Sequence, residues 1–100
     1  MTSSPAQEGK LELVDRADQN RYELTLDGAR IGMTSYAVRD GKIIIPHTEI
    51  DPRHGGRGLG SEMVRRVLDD VRARGLVVVP MCPFVADFIR RHPEYADLLR

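Results

Sequence analysis

One hundred residues, with fifteen basic and fifteen acidic side chains in balance, suit a single domain with one core. No basic block offers a track for nucleic-acid phosphates, and no apolar run approaches a membrane span or a signal-peptide core. The single cysteine excludes an internal disulfide and fits a reducing, cytoplasmic setting. With three tyrosines, two phenylalanines and no tryptophan, the core is expected to be mainly aliphatic.

In chain order, residues 1–9 are polar and read as a disordered lead before a domain spanning 10–100. From Leu11 the apolar residues alternate: Leu11 and Leu13, then Tyr22, Leu24 and Leu26 after a turn-like stretch at 15–20. A period of two marks half-buried strands. Asp27-Gly28 and Asp40-Gly41 supply the φ > 0 positions that tight hairpins need. Four strands, near 11–15, 21–27, 30–39 and 42–50, are therefore predicted to form an antiparallel meander. In the third, Ile31, Met33, Ser35 and Ala37 are expected on one face. In the fourth, Ile43-Ile44-Ile45 suits an interior strand covered on both sides. Pro46 removes a ladder donor and predicts a break or bulge.

A helix is predicted from about Gly58 to Arg74. Met63, Val64, Val67, Leu68 and Val71 form its apolar stripe, and paired charges from Glu62 to Arg74 form its solvated face. Gly75 is placed to stop it. Leu76-Val77-Val78-Val79 reads as a buried strand ended by Pro80, so strand, helix and strand imply a parallel pair with a right-handed crossover. A second helix runs from Phe84 to about His92, and Pro93 opens a short terminal turn. The predicted order is ββββαβα, an α/β (α+β) domain without internal repeats.

Between the fourth strand and the long helix lies Ile50-Asp51-Pro52-Arg53-His54-Gly55-Gly56-Arg57-Gly58-Leu59-Gly60-Ser61. Glycine lets a ligand approach backbone amides closely, and the first N–H groups of a helix lack intrahelical acceptors at the positive end of its dipole. Strand, glycine loop and helix N-terminus together make a site for phosphate or pyrophosphate. The spacing is neither a dinucleotide fingerprint, which follows a first strand, nor a Walker A loop, which ends in Gly-Lys-Ser/Thr.

The fuller string resembles motif A of the GNAT superfamily of acyl-CoA-dependent N-acetyltransferases, a strand followed by V-x-P-x-x-R-G-x-G-x-G and a helix. Ile50, Pro52, Gly56, Gly58 and Gly60 fall on it, with Arg57 at an often basic position and Gly55 where a Gln or Arg is usual. Pro80-Met81-Cys82-Pro83-Phe84 and Arg91-His92-Pro93-Glu94-Tyr95 further resemble the short single-domain GNAT-like acetyltransferases, over about residues 20–99. The resemblance implies a mixed sheet with a splayed central strand pair, and acetyl-CoA as co-substrate. Its pyrophosphate would lie on the loop amides. The expected contacts are Ile50, Gly55, Gly56, Arg57, Gly58, Leu59, Gly60, Ser61, Pro83 and Phe84. It also implies an open acceptor site for a protein, peptide or small-molecule amine. The aromatic-Tyr pair of many such enzymes corresponds here to Phe88-Ile89, which lacks the acid that protonates the leaving thiolate.

Aminolysis of a thioester needs a neutral amine, a polarised carbonyl and a route for the amine proton. If no bulge intervenes, His47 and Glu49 share a face of the fourth strand near the slot, where either can accept that proton. Cys82, just before a proline at the first position of a helix, is placed as its N-cap. A thiol there can take the acetyl group or return a proton to the thiolate. His54 and His92 read as structural or exposed. No ligand spacing suggests a metal. The expected function is an acetyl-CoA-dependent N-acetyltransferase, a monomer or weak dimer with no nucleic-acid or membrane partner. The alternative is a non-catalytic acyl-CoA-binding or protein-interaction module.

Overall fold

The computed structural model describes residues 9–55 and 58–99; the lead predicted at 1–9 therefore lies outside them except for Gly9. Alternation becomes a five-stranded sheet in the order β1 (Leu11–Arg16), β2 (Arg21–Leu26), β3 (Ala29–Arg39), β4 (Lys42–Ile50) and β5 (Val77–Pro80). The first four strands pair antiparallel. Asp27 and Gly28, at φ 51° and 88°, close one hairpin, and Asp40 and Gly41, at 55° and 78°, close the next. Both central residues of each turn are left-handed, as two-residue hairpins require. β5 pairs parallel to β4, but only along Lys42–Ile45.

Between β4 and β5 runs helix α1 (Leu59–Ala73), which buries Met63, Val64, Val67, Leu68 and Val71 against the sheet. Each such side chain contributes about 1.5–3 kcal/mol by leaving water. Gly75, at φ 70°, ends it. The Leu76 N–H reaches the Val71 carbonyl at 3.2 Å and the Gly75 N–H reaches Arg72 at 3.1 Å, the paired bonds of a Schellman stop. Helix α2 (Pro83–Arg91) adds Val85, Phe88 and Ile89 to the same core. The chain closes with a 3-10 turn, Pro93–Leu98, that buries Tyr95 and Leu98.

Two strand readings are corrected. Ile43 and Ile45 are fully buried, but Ile44 on the opposite face is only half-buried, because the core that takes in α1 and α2 lies on one side of the sheet. Ile31 leaves the face of Met33. The register of β2 with β3 slips between Leu24 and Thr25, leaving Ile31 as an extra residue buried in the core.

The polar face of α1 does more than meet solvent. Tyr22 Oη donates to Asp70 at 2.6 Å, Tyr36 Oη to Asp15 at 2.6 Å, and Arg74 reaches Tyr22 Oη at 2.9 Å and Asp15 at 3.4 Å. At its other edge Tyr95 Oη donates to Asp69 at 2.7 Å, and Arg72 binds Asp97 and the Glu94 carbonyl. The charges tie α1 to the meander on one side and to the terminal turn on the other.

Candidate functional site

β4 leaves the sheet at Ile50 and enters a 3-10 turn, Pro52–His54. Asp51 caps that turn. Its carboxylate accepts the Arg53 N–H at 2.9 Å and holds the Arg53 guanidinium at 2.9 Å. The bond from the Arg53 side chain, seconded by the Arg53 backbone, pulls the Asp51 carboxyl down to about 2. Arg53 is thus engaged by its own turn.

Gly58, at φ +74°, is the N-cap of α1; a Cβ there would meet nothing within 4 Å but would strain the backbone. Glu62 N–H bonds back to the Gly58 carbonyl at 3.0 Å, so the N–H groups of Leu59, Gly60 and Ser61 precede the first helical bond. No side chain caps them from Gly58. Gly60 serves a different purpose. A Cβ there would lie 2.8 Å from the Phe84 ring, so its absence lets the first turns of α1 and α2 touch.

These elements enclose a cleft of about 260 Å³ lined by Ile50, His54, Gly55, Gly58, Leu59, Gly60, Ser61 and Phe84. Most of the predicted ligand contacts come together here. Gly56 and Arg57 lie outside the described residues, and Pro83 is exposed at the start of α2 without lining the cleft. His54, read from the sequence as structural or exposed, is a wall of the cleft.

Cys82 is the N-cap of α2, as Pro83 predicted, and its N–H donates to the Ile45 carbonyl at 2.9 Å. This bond is the last link between β4 and the β5 end. Beyond it β4 continues alone with β3, so the pair splays where Pro46 and Pro80 remove donors. The thiol makes no capping hydrogen bond, is 6% exposed, and belongs to the core rather than to the cleft wall.

His47 and Glu49 are brought together, Nε2 to Oε2 at 2.7 Å, with both side chains more than half exposed. They share one face, as alternation predicted, but a bulge does intervene and turns that face away from the one that carries Ile43 and Ile45. Register with β3 slips between Ser35 and Ala37, so that Ile45 and Pro46 share the span of one partner residue. Ile50 then pairs with Gly32, whose missing Cβ would approach Met63 of α1. Glu49 pairs with Met33 and His47 with Ser35 on the opposite, open face. The dyad and Cys82 stand on different sides of the sheet.

Among the described residues no group of three His, Cys, Asp or Glu side chains is placed to hold a metal ion. Nor is any helix there long and apolar enough to cross a membrane.

Residues 21–98 match the family described as GCN5-related N-acetyl-transferase. No protein of curated function matches the chain. Among solved structures it resembles a GCN5-like protein of Staphylococcus aureus, with a TM-score of 0.69, 23% identity, and coverage of 90% of this chain and 88% of that one. The ribosomal-protein-S18-alanine N-acetyltransferase of Escherichia coli gives 0.56 at 20% identity, over 60% of this chain and 39% of that one. A GNAT-family protein of Desulfovibrio desulfuricans gives 0.53 at 23%, over 76% and 52%. The chain thus spans less than two thirds of the last two, and identities this low speak for a common fold.

Proposed function

We propose that this chain, which belongs to the GCN5-related N-acetyltransferase family, binds acetyl-CoA at its glycine loop and transfers the acetyl group to an amine. The observation that carries this reading is the cleft itself. Leu59, Gly60 and Ser61, whose N–H groups precede the first helical bond of α1, line a concavity together with the loop and Phe84. An anionic pyrophosphate suits such a helix end, and the glycine loop lets it come close. Gly56, Arg57 and Pro83 belong to the same proposed contact set, as neighbours of the lining residues.

In the reaction the amine nitrogen attacks the thioester carbonyl, a C–N bond forms and the C–S bond breaks. The amine loses a proton and the departing thiolate gains one. The Glu49–His47 pair, solvent-connected and hydrogen-bonded, is the proposed acceptor of the first proton. Cys82, at the point where β4 and β5 part, is the proposed donor of the second or a transient acetyl carrier. No buried acid stands at Phe88-Ile89 to do this instead.

A second reading has its own support. Cys82 is buried and does not line the cleft, which favours a module that binds acyl-CoA without turnover. Incubation with acetyl-CoA, read by intact mass and thiol release, separates the two. Release or acetylated protein supports transfer. Amide shifts near 50–61 and 80–88 with no release support the module. Shifts elsewhere in the molecule would reject the loop as the site for both.

A further inference from the structure

β1 is an edge strand: it pairs with β2, and among the described residues no strand lies along its other side. The Lys10 carbonyl takes the Asp27 N–H at 2.9 Å, so Lys10 faces β2. Alternation then turns the N–H and C=O groups of Leu11, Leu13 and Asp15 outward. Arg66 of α1 donates to the Leu11 carbonyl at 3.1 Å. The outward groups of Leu13 and Asp15 stay unpaired among the described residues. α1 does not close over them, because an open hollow of about 470 Å³ lies between β1 and α1, lined by Leu13, Asp15, Arg66, Asp69 and Asp70. Leu13 and Asp15 thus point to the α1 side, while Glu12, Val14 and Arg16 alternate onto the open face of the sheet.

We propose that this edge is a dimer interface, on which β1 of a second copy pairs antiparallel about a twofold axis at Val14. Charge selects both the occupant and the register. With Val14 opposite the partner's Val14, Glu12 faces the partner's Arg16 and Arg16 faces the partner's Glu12, all on the open face. Charges on an edge strand ordinarily discourage a second strand. Here the twofold turns the same charges into two pairs of opposite sign. A shift of one step sets Lys10 against the partner's Arg16 in one direction and Asp15 against the partner's Asp15 in the other. In the Val14 register the N–H and C=O of Leu13 bond with the C=O and N–H of the partner's Asp15, and the reverse holds by symmetry. Leu11 would face Ala17, already in a 3-10 turn, so the ladder ends before it and Arg66 keeps its carbonyl. On the α1 side the half-buried Leu13 gains its own copy as a diagonal neighbour. Asp15 is already offset by the Tyr36 hydroxyl and Arg74. This edge lies across the sheet from β5 and apart from the glycine-loop cleft, so the proposal is independent of the acetyl-transfer reading. A ladder this short stands at the low end of interface size, and the dimer is expected to be weak and concentration-dependent.

Sedimentation equilibrium of the full chain from about 10 µM to about 1 mM reads the association, and amide spectra over the same range locate it. The wild type is expected to pass from monomer to dimer mass, with the Leu13 and Asp15 amides among those that shift most. Glu12→Arg sets like charges opposite at both ends of the ladder and is expected to raise the dimer Kd at least about tenfold. Glu12→Arg/Arg16→Glu exchanges the two signs and is expected to restore it. Because Arg16 also binds Glu23 at 3.2 Å, register is read a second way that leaves Arg16 in place. Val14→Cys puts two thiols at a non-hydrogen-bonded pair, with Cα atoms about 4.5 Å apart, within disulfide reach. It is expected to give a covalent dimer on mild oxidation, whereas Glu12→Cys, which faces the partner's Arg16, is not; the native Cys82 is buried. A wild type still monomeric at the top of the concentration range overturns the proposal. So does a Glu12→Arg dimer as tight as wild type, a dimer whose amide shifts miss Leu13 and Asp15, or crosslinking of Glu12→Cys as ready as that of Val14→Cys.

Discussion

At single-residue scale Gly60 sets a wall of the cleft and Asp51 caps the turn that leads into it. Gly60→Ala puts a methyl group into the Phe84 ring, an overpacking that costs about 1–3 kcal/mol. It is expected to weaken CoA binding by displacing the cleft wall. Phe84→Ala in the same chain makes room for the methyl group, so a double-mutant cycle should show favourable coupling. Additive losses would mean that the two residues do not meet. Asp51 gives a pH signature. Its carboxyl is held at about 2 by Arg53, below the usual value near 4. Because the folded value is depressed, its stabilisation of the turn is complete above about pH 4 and is lost as pH falls toward 2. Carbon-detected titration should find that midpoint in the wild type and a return toward about 4 in Arg53→Ala. An unchanged midpoint would remove the Arg53 bond as the cause.

At the scale of elements, the meander, both helices and the terminal turn were legible because each carries its own punctuation. Asp27-Gly28 and Asp40-Gly41 fix the hairpins, Gly75 stops α1, and Pro83 starts α2 behind Cys82. The bulges were not fully legible. Pro46 announced an irregularity, but whether a strand bulges or merely frays depends on its partner, and that choice carried His47 and Glu49 to the open face. Ile31 gave no sign at all, since a bulge in mid-strand leaves the local pattern intact. The lining of the candidate cleft was legible where backbone makes it, at Gly58 and Gly60, and illegible where tertiary closure does, at His54. The element on which most stability rests is α1. Leu68→Ala, at 0% exposure, should cost about 2–5 kcal/mol in denaturant unfolding. A loss under about 1 kcal/mol would show that the site collapses onto the gap.

Across the whole molecule, the meander and α1 are joined by a polar junction as well as by the core. Tyr22 spans from β2 to Asp70, Tyr36 from β3 to Asp15, and Arg74 sits between the two carboxylates and the Tyr22 hydroxyl. Burial, followed by the bond to Asp70, pushes the Tyr22 phenol well above its ordinary value, and burial followed by Asp15 raises Tyr36 in the same direction. Each phenol donates to a carboxylate, so ionisation would set two negative charges face to face, with only Arg74 to offset them. The sign follows from linkage. A folded value raised above the unfolded one gives stability that is fully present below about pH 10 and lost as pH rises through the folded value. The wild type should therefore unfold at progressively lower denaturant from about pH 10 upward. Tyr22→Phe/Tyr36→Phe should be less stable than wild type at pH 7, because Asp70 and Asp15 each lose a donor, and should show a shallower alkaline decline. Urea midpoints from pH 7 to 11 would measure both slopes. Parallel curves for the two proteins would show that the junction contributes nothing to alkaline sensitivity.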